Sequence, residues 1–232
     1  LLRLDHPGLP QVLEAGTVDL GRGPEGFFLV ERIDGEPIAD SPATSTGDLR
    51  RRIEHLVPLC EALQELHFHG LFHGRLTPSR IITQDKGEWR LSDPGLLASI
   101  ARAIPDSAAA EKLRDYGGAP ERPVMSPLSL DGRIDVFDLG RLLNIWIEGH
   151  DGSLAIGLRA IANRATAHDR QERYRSAGEF GDHLKSILTP STSDGDLDNS
   201  LAGLTSMAAT ILIAVTAAAA FALGVALDGW LF

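Results

Sequence analysis

HGRLTPSR, residues 73–80, joins a long helical stretch to a short apolar one, and it carries Arg75 and Arg80 but no acid. Upstream, DLRRRIEHLVPLCEALQELHFHG (48–70) places Ile53, Leu56, Leu59, Cys60, Leu63 and Leu66 at helical spacing. Asp48 is the expected N-cap of this helix, and Pro58 should bend it or remove one backbone hydrogen bond. Downstream, RIIT (80–83) and EWRLS (88–92) read as short strands around the turn QDKG.

Moving outward, QVLEAGTV (11–18) and GFFLVER (26–32) read as two strands joined by the glycine-rich turn GRGPEG. IDGEPIADSPATSTG (33–47) reads as a loop. DVFDLGRLLNIWIEG (135–149) and LAIGLRAIANRAT (154–166) are apolar helices, and SAGEFGDHLKSIL (176–188) opens on a capping box, Ser176 with Glu179. His67, His69 and His73 lie close in sequence without the spacing of a metal site. There is no internal repeat.

The 232 residues are 43% hydrophobic and 23% charged, the proportions of a globular protein. A formal net charge of −10 argues against a nucleic-acid partner, because phosphate binding calls for a basic face. The one local cluster, Arg50 to Arg52, is flanked by Asp48 and Glu54 and reads as a solvated helix face. A single cysteine, Cys60, rules out an intramolecular disulfide, and its apolar setting reads as a buried thiol.

From Leu201 to Leu227 the chain holds no charged residue until Asp228. That run is long enough to cross a hydrocarbon core of about 30 Å, with Trp230 where an interfacial aromatic would stand. A transmembrane helix is therefore expected over 204–227, after a Pro-, Ser- and Asp-rich linker (189–203) and before a five-residue tail (228–232). Lys185 and several arginines precede the span and none follows it, so the globular part is expected on the cytoplasmic side. Ala214 with Ala218, and Ser206 with Thr210, have the small-xxx-small spacing of helix-mediated self-association, a pattern that an alanine-rich helix also produces by chance. The chain opens on Leu1 with no signal peptide, as a segment of a longer protein would.

The order of these segments resembles the protein-kinase fold, in particular the bacterial serine/threonine kinases of eukaryotic type. The resemblance runs from Leu1 to about Leu188. LDHPGLPQVLEAG (4–16) resembles the stretch after the regulatory helix, and FFLVERIDGEPI (27–38) the fifth strand and hinge. HGLFHGRLTPSRIIT resembles the catalytic loop and SDPG, with Asp93 and Gly95, the metal-binding motif. Ala119-Pro120-Glu121 resembles the end of the activation segment, DGRIDVFDLGRLL the central buried helix, and ATAHDRQERYRSAGEF (165–180) the closing helices. Together they imply an α+β fold: a small-lobe remnant and hinge over 1–40 and a helical large lobe over 41–188.

The resemblance also implies ATP and Mg²⁺ as cofactors, and the loop argues against their use. The family pattern is His-Arg-Asp-x-Lys-x-x-Asn, in which the Asp handles the substrate hydroxyl, the Lys meets the phosphoryl group and the Asn binds metal. Those positions carry Arg75, Thr77 and Arg80. A guanidinium stays protonated and cannot act as a base, and Arg80 sets a fixed cation where a dication should sit. Asp93 is the one remaining candidate metal ligand. No Gly-rich phosphate loop or lysine-bearing strand precedes these segments in the sequence.

What the resemblance implies is retained is architectural. His73 would pack the loop on SDPG, Asp135 would anchor the loop backbone, and Glu121 with Arg173 would form a buried ion pair. WIEGHDGSLAIGLRAIANRA passes from the central helix to the next without the family's docking helix. The expected function is a membrane-anchored pseudokinase, a binding or scaffolding module for a protein partner. One alternative is an active kinase with unconventional residues, Glu88 or Asp85 then serving as base. Another is a membrane-helix interaction protein carrying a relic lobe.

Overall fold

The computed structural model describes residues 4–189 except 20, 22, 23, 104–107 and 117. The chain divides after Leu188 into two units. The expected transmembrane segment, its linker and the tail lie outside the described residues, apart from Thr189. Among the described residues, no helix is long and apolar enough to cross a membrane.

Strands β1 (Val12–Asp19) and β2 (Pro24–Val30) form an antiparallel two-stranded sheet. β2 begins earlier than the sequence suggests, taking Pro24 and Glu25 from the expected turn, and ends at Val30 rather than Arg32. A second sheet runs β3 (Glu36–Pro37), β4 (Ile81–Thr83), β5 (Trp89–Leu91), all antiparallel. β3 lies within the segment read as a loop. Two residues carry no alternation to read, and β3 exists because β4 offers it a partner.

Helix α1 (Thr46–Phe68) runs through Pro58 without ending there. Its N-cap is Ser45, not Asp48. The Ser45 hydroxyl accepts from the Asp48 N–H (3.1 Å), while the Asp48 carboxylate reaches back to the Thr44 N–H (3.0 Å). This is a reciprocal cap with aspartate in the role usually taken by glutamate. Helices α2 (Leu96–Ala103) and α3 (Ala108–Asp115) follow β5, and neither was foreseen. α4 (Arg133–Trp146), α5 (Ser153–Ala165) and α6 (Ala177–Leu188) complete the lobe. Half of the capping box of α6 forms as read: the Glu179 N–H donates to Ser176 Oγ (3.3 Å), while the Glu179 carboxylate accepts from the N–H of Arg175, one residue before the cap (2.7 Å).

The main core is the inner face of α1 against α4, α5 and α6, with Leu56, Leu59, Leu63, Leu143, Leu158, Phe180 and Leu184 buried. Cys60 lies within it, and burial pushes its thiol pKa well up, so it is unreactive packing. A second, smaller core joins Phe72, Ala98, Ala101, Ala110, Leu113, Leu130 and Ile134. It exists because α2 and α3 fold over the loop at 72–75.

The segment ending Ala119-Pro120-Glu121 is tied to this body by one ion pair. Arg173 makes a forked contact with Glu121, Nη1 to Oε1 at 2.7 Å and Nη2 to Oε2 at 2.8 Å. Arg173 is fully buried and also donates to the carbonyls of Ala167, His168 and Arg133. Burial alone would raise the Glu121 pKa, but the Arg173 hydrogen bonds hold it below the usual carboxylate range. Removing one partner of such a pair leaves an uncompensated buried charge, at a cost of about 3–5 kcal/mol. Glu121→Ala should therefore lower unfolding free energy by about that much in urea titrations. Arg75→Ala, at an exposed position, should change it by under about 0.5 kcal/mol. The reverse ranking would overturn the role assigned to Glu121.

Candidate functional site

The loop at 73–80 is held from below by a single carboxylate. Asp135, in the first turn of α4 and wholly buried, accepts from the His73 N–H (2.8 Å) and the Gly74 N–H (2.7 Å). A third donor is His67 Nε2 at 3.0 Å. His67 Nδ1 accepts from the Ala177 N–H at the start of α6 (3.3 Å), which places the ring proton on Nε2. Burial would raise the Asp135 pKa; the His67 hydrogen bond, with the neighbouring histidines and backbone N–H groups, reverses that and holds it low. His67, passed over in the sequence as one of three nearby histidines, is thus the link between α1, α4 and α6.

His73 faces the other way. Its Nδ1 accepts from the Arg75 N–H (3.2 Å), and its buried Nε2 lies 3.7 Å from Asp93 Oδ1, beyond hydrogen-bonding distance. Gly95 makes this approach possible. A Cβ there would fall 2.5 Å from the Phe72 carbonyl oxygen, at a backbone φ of +81°.

Asp93 is committed on both oxygens. Oδ1 accepts from the N–H groups of Gly95 (2.9 Å) and Leu96 (3.3 Å), where it caps the start of α2. Oδ2 lies 3.5 Å from Arg80 Nη1. Mg²⁺ takes near-octahedral oxygen donors. Here the only carboxylate is a helix cap with a guanidinium over its free side, and no group of three potential metal ligands occurs among the described residues. These residues do not fit a divalent cation.

No family model matches the chain. It is 26% identical to the serine/threonine-protein kinase PknB of Mycobacterium leprae over 76% of its own length and 33% of that protein's. It is 33% identical to the DNA damage-responsive serine/threonine-protein kinase RqkA of Deinococcus radiodurans over 62% of its length and 21% of that protein's. The crystal structure of the Mycobacterium tuberculosis PknI kinase domain superposes with a TM-score of 0.57 at 20% identity, covering 80% of this chain and 74% of that one. The fold is that of a bacterial eukaryotic-type protein kinase. The chain spans about a third of the length of the PknB proteins it matches.

Within this kinase fold, Arg75 occupies the loop position of the pattern's acid. Its side chain is exposed and rests over the Tyr116 ring, 5.3 Å from the centroid. Thr77 Oγ1 lies 3.0 Å from Ser79 Oγ and takes no part in a charged contact. Glu88 and Asp85 sit in the turn between β4 and β5, at the far end of that hairpin from Arg80 and Asp93.

Gly74 stands where the pattern has arginine. At φ +77°, a Cβ here would lie 2.9 Å from Ala98 Cβ and 3.1 Å from Leu113 Cδ1. Its bareness lets α2 and α3 close directly on the loop. Two residues missed in the sequence complete the clamp. Arg122, fully buried, donates to the Gly74 carbonyl and to Asp138 Oδ2 (2.5 Å), and its guanidinium lies over Tyr116. Asp138 also accepts from the Leu76 N–H (3.3 Å). The one available signal was Asp138 itself, a charge inside the apolar run DVFDLG. Burial, which strips water from the ionised form, outweighs Arg122, and with the Asp135 charge one turn away it pushes the Asp138 pKa up to about 7.

A folded-state pKa above the unfolded value of about 3.9 means that the folded protein binds the extra proton, so this group's contribution to stability falls as pH rises from about 4 to 7. Asp138→Asn should remove that dependence. The stability of the native chain relative to this variant should drop by about 1–2 kcal/mol between pH 5.5 and 7.5 in chemical denaturation. A gap that stays flat over that range would show instead that Arg122 keeps the carboxylate ionised.

Proposed function

We propose that this chain is a kinase-fold binding module that has given up phosphoryl transfer, held at a membrane by the apolar run 204–227. The observation carrying this reading is the state of Asp93. It is spent as the cap of α2 and covered by Arg80, while Arg75 puts a permanent cation in the acid's place. A positioned general base contributes about 10²–10⁴-fold in rate, and the loop supplies none. The buried framework that fixes the loop backbone, from Asp135 to Arg173, is kept intact. A firmly held loop backbone around side chains unsuited to transfer fits a docking role, and the partner is a protein, since the chain's net charge of −10 disfavours nucleic acid.

The purified chain should incorporate no radiolabelled phosphate from ATP with Mg²⁺ or Mn²⁺, into itself or into generic protein substrates. Incorporation above a heat-killed control that is lost on Asp93→Ala would overturn the proposal.

The membrane placement has its own test. The basic residues lie before the apolar run, so the lobe faces the cytoplasm and the tail crosses. Protease added outside intact cells should spare the lobe, and the chain should sediment with membranes and resist carbonate extraction. Cleavage within 189–203 under those conditions would reverse the orientation.

A further inference from the structure

Beside the loop, a cavity of about 130 Å³ opens between Thr77, Pro78, Tyr116 and the α4 side chains Arg141 and Ile145. Small-molecule sites hold about 300–1,000 Å³, so this one has room for a headgroup at the tip of a side chain and none for a nucleotide.

The cations around it are unequally engaged. Arg122 pairs with the buried Asp138 (2.5 Å), and Arg80 lies 3.5 Å from Asp93. Arg75 and Arg141 are both exposed, and neither has a hydrogen bond or ion pair among the described residues. Arg141 lines the cavity directly. Arg75 approaches from the loop, its guanidinium 5.3 Å from the centre of the Tyr116 ring that forms one wall. A ring face attracts a cation, so Arg75 is steadied without being neutralised, and a ligand that takes it has less side-chain motion to quench. The Thr77 hydroxyl, 3.0 Å from Ser79 Oγ, adds a neutral donor. Two carboxylates oppose these groups: Asp40, exposed at the rim, and Asp138, buried and already matched by Arg122. Three guanidinium groups therefore stand against two carboxylates, in a chain whose net charge is −10. In the kinase pattern position 75 carries the acid that handles a substrate hydroxyl. A guanidinium there reverses the preference, from a neutral hydroxyl to an anion.

We propose that this cavity docks a phosphorylated serine or threonine of a partner protein, the phosphate held between Arg75 and Arg141 with the Thr77 hydroxyl as a further donor. Phosphate brings three acceptor oxygens and nearly two charges, enough to engage two guanidinium groups at once. A carboxylate brings two oxygens and one charge, and leaves one of the arginines unmatched. The inference deepens the docking role proposed above and rests on the loop having given up phosphoryl transfer.

The test titrates fluorescein-labelled, alanine-flanked phosphothreonine and phosphoserine peptides with the full chain in maltoside micelles and follows fluorescence anisotropy. At least one should bind saturably, and the unphosphorylated peptide and its glutamate counterpart should not. Arg75→Gln and Arg141→Gln should each weaken binding by roughly tenfold. Both side chains are exposed, so neither variant should shift the melting temperature. The proposal fails if neither phosphopeptide binds, if either variant binds as the native chain does, or if the glutamate peptide binds equally well. It fails also if inorganic phosphate alone binds as tightly as the peptides, which would make the cavity a site for the free ion. Absence of binding with no transfer of labelled phosphate overturns the docking alone; transfer to the unphosphorylated peptide overturns the loss of catalysis and the docking with it.

Discussion

Everything near the loop depends on the Asp135 carboxylate. It is excluded from water, yet kept ionised by three donors that come from two different parts of the chain: the backbone of the loop itself and the His67 ring of α1. His67 in turn accepts from the first turn of α6. One side chain of α4 therefore fixes the loop relative to three helices. This requires that α4 be buried along its length, and its apolar run from Ile134 to Trp146 ensures that it is. The charge is tolerated inside because both of its oxygens accept hydrogen bonds, the condition under which buried ions persist.

Much of this was legible before any coordinates. The helices of the main core announce themselves by spacing, since each buries one face against α1, and the elements from α4 to α6 follow in the expected order. The Glu121 and Arg173 pair was placed by resemblance across 52 positions, a pairing that no local pattern could supply. Illegible were α2 and α3. Each spans only eight residues, too short for a helical period to stand out in the sequence, and each is held by packing on the floor that Gly74 and Phe72 provide. Arg122 was hidden for the opposite reason: a charge after Pro-Glu reads as surface, and only the proximity of Asp138 makes it interior.

The candidate site itself was half read. Substitution at 75, 77 and 80 was plain in the sequence, and it leaves residues 73–80 without an acidic side chain. The sequence could not show what became of Asp93. Its identity suggested a surviving ligand, whereas its hydrogen bonds make it the first residue of a helix cap under a guanidinium. Residue type describes what a side chain can do; its partners determine what it does here.

The bare α-carbon of Gly74 constrains what the loop can accept. With α2 and α3 packed on a position without a side chain, an arginine there would collide with Ala98 and Leu113. An acid placed at position 75 or an amide at position 80 would still face an Asp93 that serves as the cap of α2 under Arg80. The packing of α2 and α3 thus ties position 74 to position 93, and the loop can be redesigned only as a unit.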